Sequence, residues 1–187
     1  NKNYSTNFND FFNVVAKIGS ELNSPKNRFD KADLIEQALQ ICSDDRLSWV
    51  DQKGCDMLDP QRNLKFEVKS QGNCLFTKKG TLKEKTAQIK LVNTLQQSEN
   101  KKLDVSSDYL LLVDTKQFAV GIISYADVVH SYSKELKDGF SCQIPTEKIT
   151  FLFRPEEYIS NNYSAPSYAR EKEKAQKAFI LKSIGRG

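Results

Sequence analysis

Three residues within positions 54–71 have the types and spacing of a metal-dependent hydrolytic site. They are Asp56, Glu67 and Lys69. Glu67 and Lys69 are separated by one residue, so in a β-strand their side chains lie on the same face. Two converging carboxylates can hold a divalent cation through oxygen ligands, and a nearby lysine can support an attacking water. Hydrolysis of a phosphodiester bond is the chemistry that this combination would support.

The stretch 54–71 is predicted to form the β-hairpin that brings these residues together. A polar turn at 60–63 separates two short runs, and in the second run every other residue is apolar, as in a strand with one buried face. The two aspartates of the first run, Asp56 and Asp59, lie on opposite faces. An antiparallel return could therefore bring one of them beside Glu67.

At these residues the chain resembles the PD-(D/E)XK nuclease superfamily, which includes most type II restriction endonucleases. The resemblance rests on Asp56, ten intervening residues and the tripeptide Glu67-Val68-Lys69, while Cys55 stands where many members have proline. It implies an α/β fold with a central mixed β-sheet flanked by helices, restriction-endonuclease-like, covering residues 33–129. It also implies Mg²⁺ bound by the two carboxylates, Lys69 positioning the attacking water, and double-stranded DNA as the substrate.

The pattern of an acidic residue, any residue and a lysine occurs five times, so the tripeptide alone does not select a site. Only the tripeptide at Glu67 has an apolar middle residue within a predicted strand and an acid-bearing strand just before it. The most serious alternative begins at Asp114, with Asp104 upstream. It follows four apolar residues and has the pattern of a turn that leaves a buried strand, which favours Glu67. The other three begin at Asp51, Glu99 and Glu135.

The resemblance extends the candidate site to residues around the hairpin. In many relatives of that family a glutamate on the preceding helix contributes to the metal site, and Glu36 is the corresponding residue here. Residues just after the lysine often face DNA in the family, which implies contacts from Ser70, Gln71 and Asn73. Further basic, amide and aromatic side chains are also expected to contact DNA: Lys78, Lys79, Lys83, Asn161, Asn162, Tyr163, Arg170 and Lys172.

Composition excludes several other classes of protein. The chain has 187 residues, of which 39% are hydrophobic and 28% charged, enough for one sizeable core. His130 is the only histidine, which excludes a two-histidine metal site, and the four cysteines contain no C-x-x-C pair, which excludes a zinc knuckle. No apolar run approaches the roughly 20 residues of a membrane span, so we expect a cytoplasmic protein without a membrane partner. Residues 170–187 carry six basic and two acidic side chains, a surplus equal to the net charge of +4.

Periodicity, capping residues and turn residues predict the remaining elements of a single nuclease domain at 1–187. Helices are predicted over residues 9–18, 30–42, 81–97, 124–132 and 169–184, the last of them basic. Strands are predicted over residues 47–50, 109–113, 118–123 and 148–154. Loops are predicted at 139–146 and at 155–168, and we expect the second loop to contact DNA.

The predicted activity is site-specific, Mg²⁺-dependent cleavage of duplex DNA, as in a type II restriction enzyme. A symmetric site on DNA is most simply bound by a two-fold symmetric protein, so a homodimer is expected. Junction-resolving and repair nucleases of the same superfamily share the catalytic residues and remain an alternative. A second alternative is a non-catalytic nucleic-acid-binding module, in which Glu67 and Lys69 form only an ion pair on an exposed strand face. No residue excludes RNA as the substrate.

Overall fold

The computed structural model describes residues 6–21, 28–52, 54–91, 105–136, 139–160 and 173–185, which contain four α-helices and nine β-strands. The helices are α1 (Phe8–Glu21), α2 (Arg28–Cys42), α3 (Tyr125–Ser131) and α4 (Glu173–Ser183). The strands are β1 (Ser48–Gln52), β2 (Cys55–Asp59), β3 (Leu64–Gln71), β4 (Thr86–Leu91), β5 (Tyr109–Asp114), β6 (Ala119–Ser124), β7 (Ser133–Leu136), β8 (Gly139–Pro145) and β9 (Thr150–Phe153).

Six of the strands form a central sheet in the order β1-β2-β3-β5-β6-β9. β3 runs parallel to β5, and the other neighbouring pairs in this sheet are antiparallel. The sheet is therefore mixed, which confirms the predicted α/β class with a central mixed sheet. The predicted hairpin and the strands predicted near residues 48, 110, 120 and 150 are also confirmed, with ends shifted by a few residues.

A second, three-stranded antiparallel sheet in the order β4-β8-β7 corrects two predictions. The helix predicted over 81–97 is wrong for the described part of that range, because Leu82 bridges Phe76 and the chain then forms β4. The loop predicted at 139–146 is also wrong, because most of it is β8. In both strands alternate side chains are buried, and this period of two outweighs the helix-forming residues and the capping sequence that starts at Thr81.

Apolar side chains cover both faces of the central sheet. Helices α1, α2 and α4 contribute to the core on one face, which includes Val68 and Val113. The second sheet and α3 contribute to the core on the other face, which includes Leu110 and Leu112. Because successive strand residues point to opposite faces, Val68 faces the helices whereas Glu67 and Lys69 face the second sheet.

The predicted cap of α3 is confirmed, because the Ser124 side chain accepts a hydrogen bond of 3.4 Å from the backbone N–H of Asp127. Residues 155–157 of the predicted DNA-contacting loop form a short 3₁₀ helix, and residues 161–168 lie outside the described residues. α4 falls within the helix predicted over 169–184. In the described ranges, no helix has the length and apolar character needed to cross a membrane.

Candidate active site

Asp56 and Glu67 face each other across the antiparallel pair formed by β2 and β3. Met57 pairs with Phe66, and one residue further along this register places Asp56 opposite Glu67. The Asp56 side chain is held in place because its Oδ2 accepts a hydrogen bond of 2.8 Å from the backbone N–H of Val68. The hairpin therefore brings both carboxylates to one face of the sheet.

The position of Asp59 decides which of the two aspartates belongs to the pair. Asp59 lies on the opposite face of β2 and is 2% exposed. Its Oδ1 accepts a hydrogen bond of 3.2 Å from the backbone N–H of Arg62 in the hairpin turn. Asp56 is thus the partner of Glu67, and Asp59 belongs to the other side of the sheet.

Lys69 completes the group on the same face of β3. Its Nζ lies 3.8 Å from Oε1 of Glu67, and the two side chains are 32% and 15% exposed, respectively. Glu67 Oε2 is buried without a hydrogen-bond partner. The structure therefore brings the three predicted catalytic residues together at the edge of a core, with the lysine on the solvent side and one carboxylate oxygen unsatisfied.

Burial and the neighbouring negative charge of Asp56 raise the pKa of the Glu67 carboxyl from its usual 4.5 to about 7, although Lys69 acts in the opposite direction. Such a pKa means that ionised Glu67 lacks sufficient stabilisation from the protein alone. A cation bound beside the two carboxylates would supply it. The carboxyl pair is the strongest electrostatic indication of function among the described residues.

Two residues that the sequence analysis missed border this group. Tyr125, the first residue of α3, is 4% exposed. Burial and then the charge of Glu67 raise its pKa to about 12, while a side-chain hydrogen bond with Ser106 lowers it. The Ser106 side chain also lies against Gly54 and occupies the space that a Cβ there would need. The positive φ of Gly54, 73°, independently favours glycine at that position. No local pattern identifies Tyr125 or Ser106, because each is 39 or more positions from Glu67 in the chain.

Cys142 of β8 lies near Lys69, on the face of the central sheet that the second sheet covers. Burial raises the pKa of the Cys142 thiol to about 11, and the positive charge of Lys69 lowers it. The second sheet, which the sequence analysis did not predict, therefore contributes to the wall of the candidate site.

Glu36 does not join the carboxylate pair. It lies on α2, is 8% exposed, and its Oε2 accepts a hydrogen bond of 2.7 Å from the indole N–H of Trp49. Trp49 packs against the core on the helix side of the sheet, whereas Glu67 faces the second sheet. Within the described ranges no three His, Cys, Asp or Glu side chains form a metal-binding group.

The residues that follow Lys69 differ in how free their side chains are to contact a ligand. Ser70 and Gln71 still pair with β5, and Gln71 is exposed. Asn73 adopts a left-handed backbone conformation with φ of 56°, and its Oδ1 accepts a hydrogen bond of 3.0 Å from the Gln117 side chain. Gln71 is therefore better placed than Asn73 to contact a ligand.

The predicted basic contacts lie in two groups. Lys78 and Lys79 are exposed in the turn between the bridged residues Phe76 and Leu82, and Lys83 is half-buried just after it. The remaining predicted contacts lie outside the described residues: Asn161, Asn162, Tyr163, Arg170 and Lys172.

Asp114, which begins the alternative acid-x-lysine tripeptide, has a structural role. Its side chain is fully buried at the end of β5. Its Oδ1 accepts from the backbone N–H groups of Asn73, Lys116 and Gln117, and its Oδ2 from those of Leu75 and Phe76, over 2.8–3.2 Å. A carboxylate occupied by five amides has little capacity left for a metal ion.

The raised pKa of Glu67 gives a testable pH dependence. Because the folded-state pKa lies above the unfolded-state value, the stability of the protein should fall as pH rises from about 4.5 to 7 and stay low above that range. Glu67→Gln removes this ionisation, so without metal the variant should gain about 1–3 kcal/mol relative to the parent between pH 5 and pH 8. Denaturant unfolding at both pH values, with Glu135→Gln as an exposed control, measures the change. A difference that does not vary with pH would contradict this assignment.

Comparison of this chain with protein-family models, curated proteins and solved structures finds no match.

Proposed function

We propose that this protein is a divalent-metal-dependent endonuclease that cleaves duplex DNA at specific sites, in the manner of a type II restriction enzyme. The observation that carries the proposal is the meeting of Asp56, Glu67 and Lys69 on one face of the β2–β3 hairpin, with a 3.8 Å ion pair between the last two. The resemblance to the PD-(D/E)XK signature supports the same assignment, since these residues occupy its three positions.

The carboxylate pair fits Mg²⁺ on chemical grounds. Mg²⁺ is commonly bound by one or two carboxylates and keeps several waters, so two protein ligands suffice. Glu67 Oε2, which is buried without a partner, is an oxygen available for coordination. A bound Mg²⁺ would act as a Lewis acid toward the scissile phosphate and lower the pKa of a bound water.

The three side chains have distinct roles in this proposal. Asp56 and Glu67 hold the ion, and the hydrogen bond from Val68 fixes the orientation of Asp56. Lys69 donates N–H to the attacking water or to a phosphate oxygen. Its 3.8 Å contact with Glu67 is longer than a hydrogen bond, so it can turn toward a substrate. Its positive charge also offsets the negative charge that develops on the phosphate during attack.

DNA binding in this proposal involves Gln71, at the end of β3, and Lys78 and Lys79 in the turn that follows, all three of which are exposed. A homodimer follows if the target sequence is palindromic, because two copies then place two active sites symmetrically on the strands. Sedimentation of the protein with and without a DNA duplex tests this part of the proposal independently of cleavage.

The deciding experiment is incubation of a large duplex DNA of mixed sequence with the protein, in magnesium and in chelator, followed by gel electrophoresis. We expect discrete fragments that vanish with chelator, and sequencing of their ends would identify the site. A magnesium-dependent smear would instead indicate a less specific or structure-selective nuclease of the same kind. Intact but retarded DNA would replace the proposal with a non-catalytic binding module, and cleavage of RNA alone would change the substrate.

A further inference from the structure

A cavity of about 830 Å³ opens on the face of the central sheet opposite the carboxylate pair. Its floor consists of apolar side chains of the sheet, among them Phe66, Leu111 and Phe153. Phe66 precedes Glu67 in β3 and therefore points to the other face. A cavity of this size is within the range of sites that bind small molecules and cofactors.

One wall of the cavity is aromatic. The rings of Phe66 and Tyr109 are stacked, with centroids 5.8 Å apart and planes 25° from parallel. Tyr109 is 36% exposed, so this pair reaches from the floor to the mouth. A flat ring entering the cavity can extend the stack, since offset stacking is a favoured aromatic arrangement.

Two arginines line the cavity, and neither forms an ion pair within the part of the chain that the structure describes. The Nε of Arg46 is buried and has no hydrogen-bond partner. A buried guanidinium donor without an acceptor is costly, so its presence points to an acceptor that a ligand supplies. The exposed side chain of Arg62 lies at the same cavity, and guanidinium groups bind phosphate and carboxylate.

Asp59 adds a hydrogen-bond acceptor to the cavity, which favours a ligand that carries a donor as well as a negative charge. Its carboxylate is 2% exposed, and only Oδ1 has a hydrogen bond among the described residues, from the backbone of Arg62. The second oxygen, Oδ2, is therefore available to accept an N–H or O–H from a ligand. A fatty acid has no such donor along its apolar body, whereas a nucleobase has one in a ring N–H or an exocyclic amino group.

We propose that this cavity binds a mononucleotide, with its phosphate at Arg46 and Arg62, its base beside the Phe66–Tyr109 pair and a base N–H donated to Asp59. The site is separate from the carboxylate pair and does not depend on nuclease activity.

Titration of the full chain with guanosine and adenosine monophosphates, with the matching nucleosides and with inorganic phosphate tests the proposal, using calorimetry and ligand-observed NMR. We expect a nucleotide to bind more tightly than its nucleoside, by about tenfold if one phosphate–arginine interaction contributes 1.4 kcal/mol. Arg62→Met should reduce nucleotide affinity and leave nucleoside affinity unchanged. Asp59→Asn should reduce both affinities. If neither nucleotide binds with a Kd below about 1 mM, which corresponds to a binding free energy of about −4 kcal/mol, the proposal is overturned.

Two further variants serve as controls, and a third tests the aromatic wall. Arg62→Met is chosen first because the side chain is exposed and its loss should not affect folding. Arg154→Met removes a positive charge outside the cavity and Glu67→Gln changes the other face of the sheet, so both should leave the affinity unchanged. Tyr109→Leu removes the aromatic ring at the mouth and should reduce the affinity for both nucleotide and nucleoside. Binding that survives both Arg62→Met and Tyr109→Leu would place the ligand elsewhere and contradict the proposal.

Discussion

Glu67→Gln should reduce the rate of DNA cleavage by about a hundredfold to a thousandfold while leaving the affinity for DNA nearly unchanged. The side chain keeps its size, so β3 retains its packing. The variant loses the negative charge that would hold Mg²⁺ beside Asp56, and with it the stabilisation of the scissile phosphate. Cleavage of a plasmid under saturating magnesium and DNA binding by fluorescence anisotropy in calcium or chelator measure the two effects separately.

Lys69→Ala is expected to give a similar loss of cleavage by a different route, because the variant keeps both carboxylates. Its magnesium affinity should therefore persist, whereas Glu67→Gln should weaken it. Lys65→Ala is a matched control, since Lys65 lies on the same strand and the same face but away from the pair. Equal losses of cleavage, DNA binding and stability in the Glu67 and Lys69 variants, or full activity in either, would refute the catalytic roles proposed here.

Asp114→Ala should lower the free energy of unfolding by about 3–5 kcal/mol, the largest single loss of stability that we expect among the described polar residues. The change leaves the five backbone N–H groups of Asn73, Leu75, Phe76, Lys116 and Gln117 without their acceptor. For a chain of this length the melting temperature should fall by roughly 6–20 °C. Calorimetry or denaturant unfolding measures this loss.

Asp114→Asn provides a graded comparison. The asparagine carbonyl can accept from the backbone N–H groups that bond one oxygen of Asp114. Its NH₂ group, however, would meet the N–H groups that bond the other oxygen, and two donors cannot pair. We therefore expect a loss of stability between zero and that of Asp114→Ala. Asp108→Ala is the control, because the exposed side chain of Asp108 accepts one hydrogen bond, from the backbone N–H of Lys65, and its loss should cost about 1 kcal/mol. If Asp114→Ala were no more harmful than Asp108→Ala, the hydrogen-bond network around Asp114 would not stabilise the fold as argued.

The same comparison separates structure from function. In the folded protein Asp114→Ala should leave the magnesium affinity of the carboxylate pair largely unchanged, because the hydrogen bonds of Asp114 go to backbone N–H groups of the turns after β3 and β5 and not to that pair. Its DNA affinity should fall, since the turn after β3 leads to Lys78 and Lys79. Glu67→Gln should show the opposite behaviour, with magnesium affinity lost and DNA affinity kept.

Local sequence pattern determined the hairpin and the faces of its residues. The alternation of apolar and polar residues in β3 placed Glu67 and Lys69 on one face, and the short turn allowed an aspartate of β2 to face them. These are interactions between residues close in the chain, and a strand period of two is visible without knowing what packs on it. The mixed central sheet was expected from the resemblance and not from local pattern alone, since the pattern after β3 predicted a helix where β4 is found.

Tertiary structure alone decided which aspartate joins the pair, what surrounds it and where Glu36 points. The register of β2 against β3 selected Asp56, and the indole of Trp49 engaged Glu36 on the helix side. Tyr125 and Cys142 reach the site from strands and helices far along the chain. Asp114 likewise accepts hydrogen bonds from backbone N–H groups up to 41 residues away. Contacts of this kind depend on which distant segments cover each face of the sheet, and local periodicity contains no information about that choice. This is also why β4 and β8 were mistaken for a helix and a loop: their alternating residues form strands because they pair with each other across the face that carries Glu67 and Lys69.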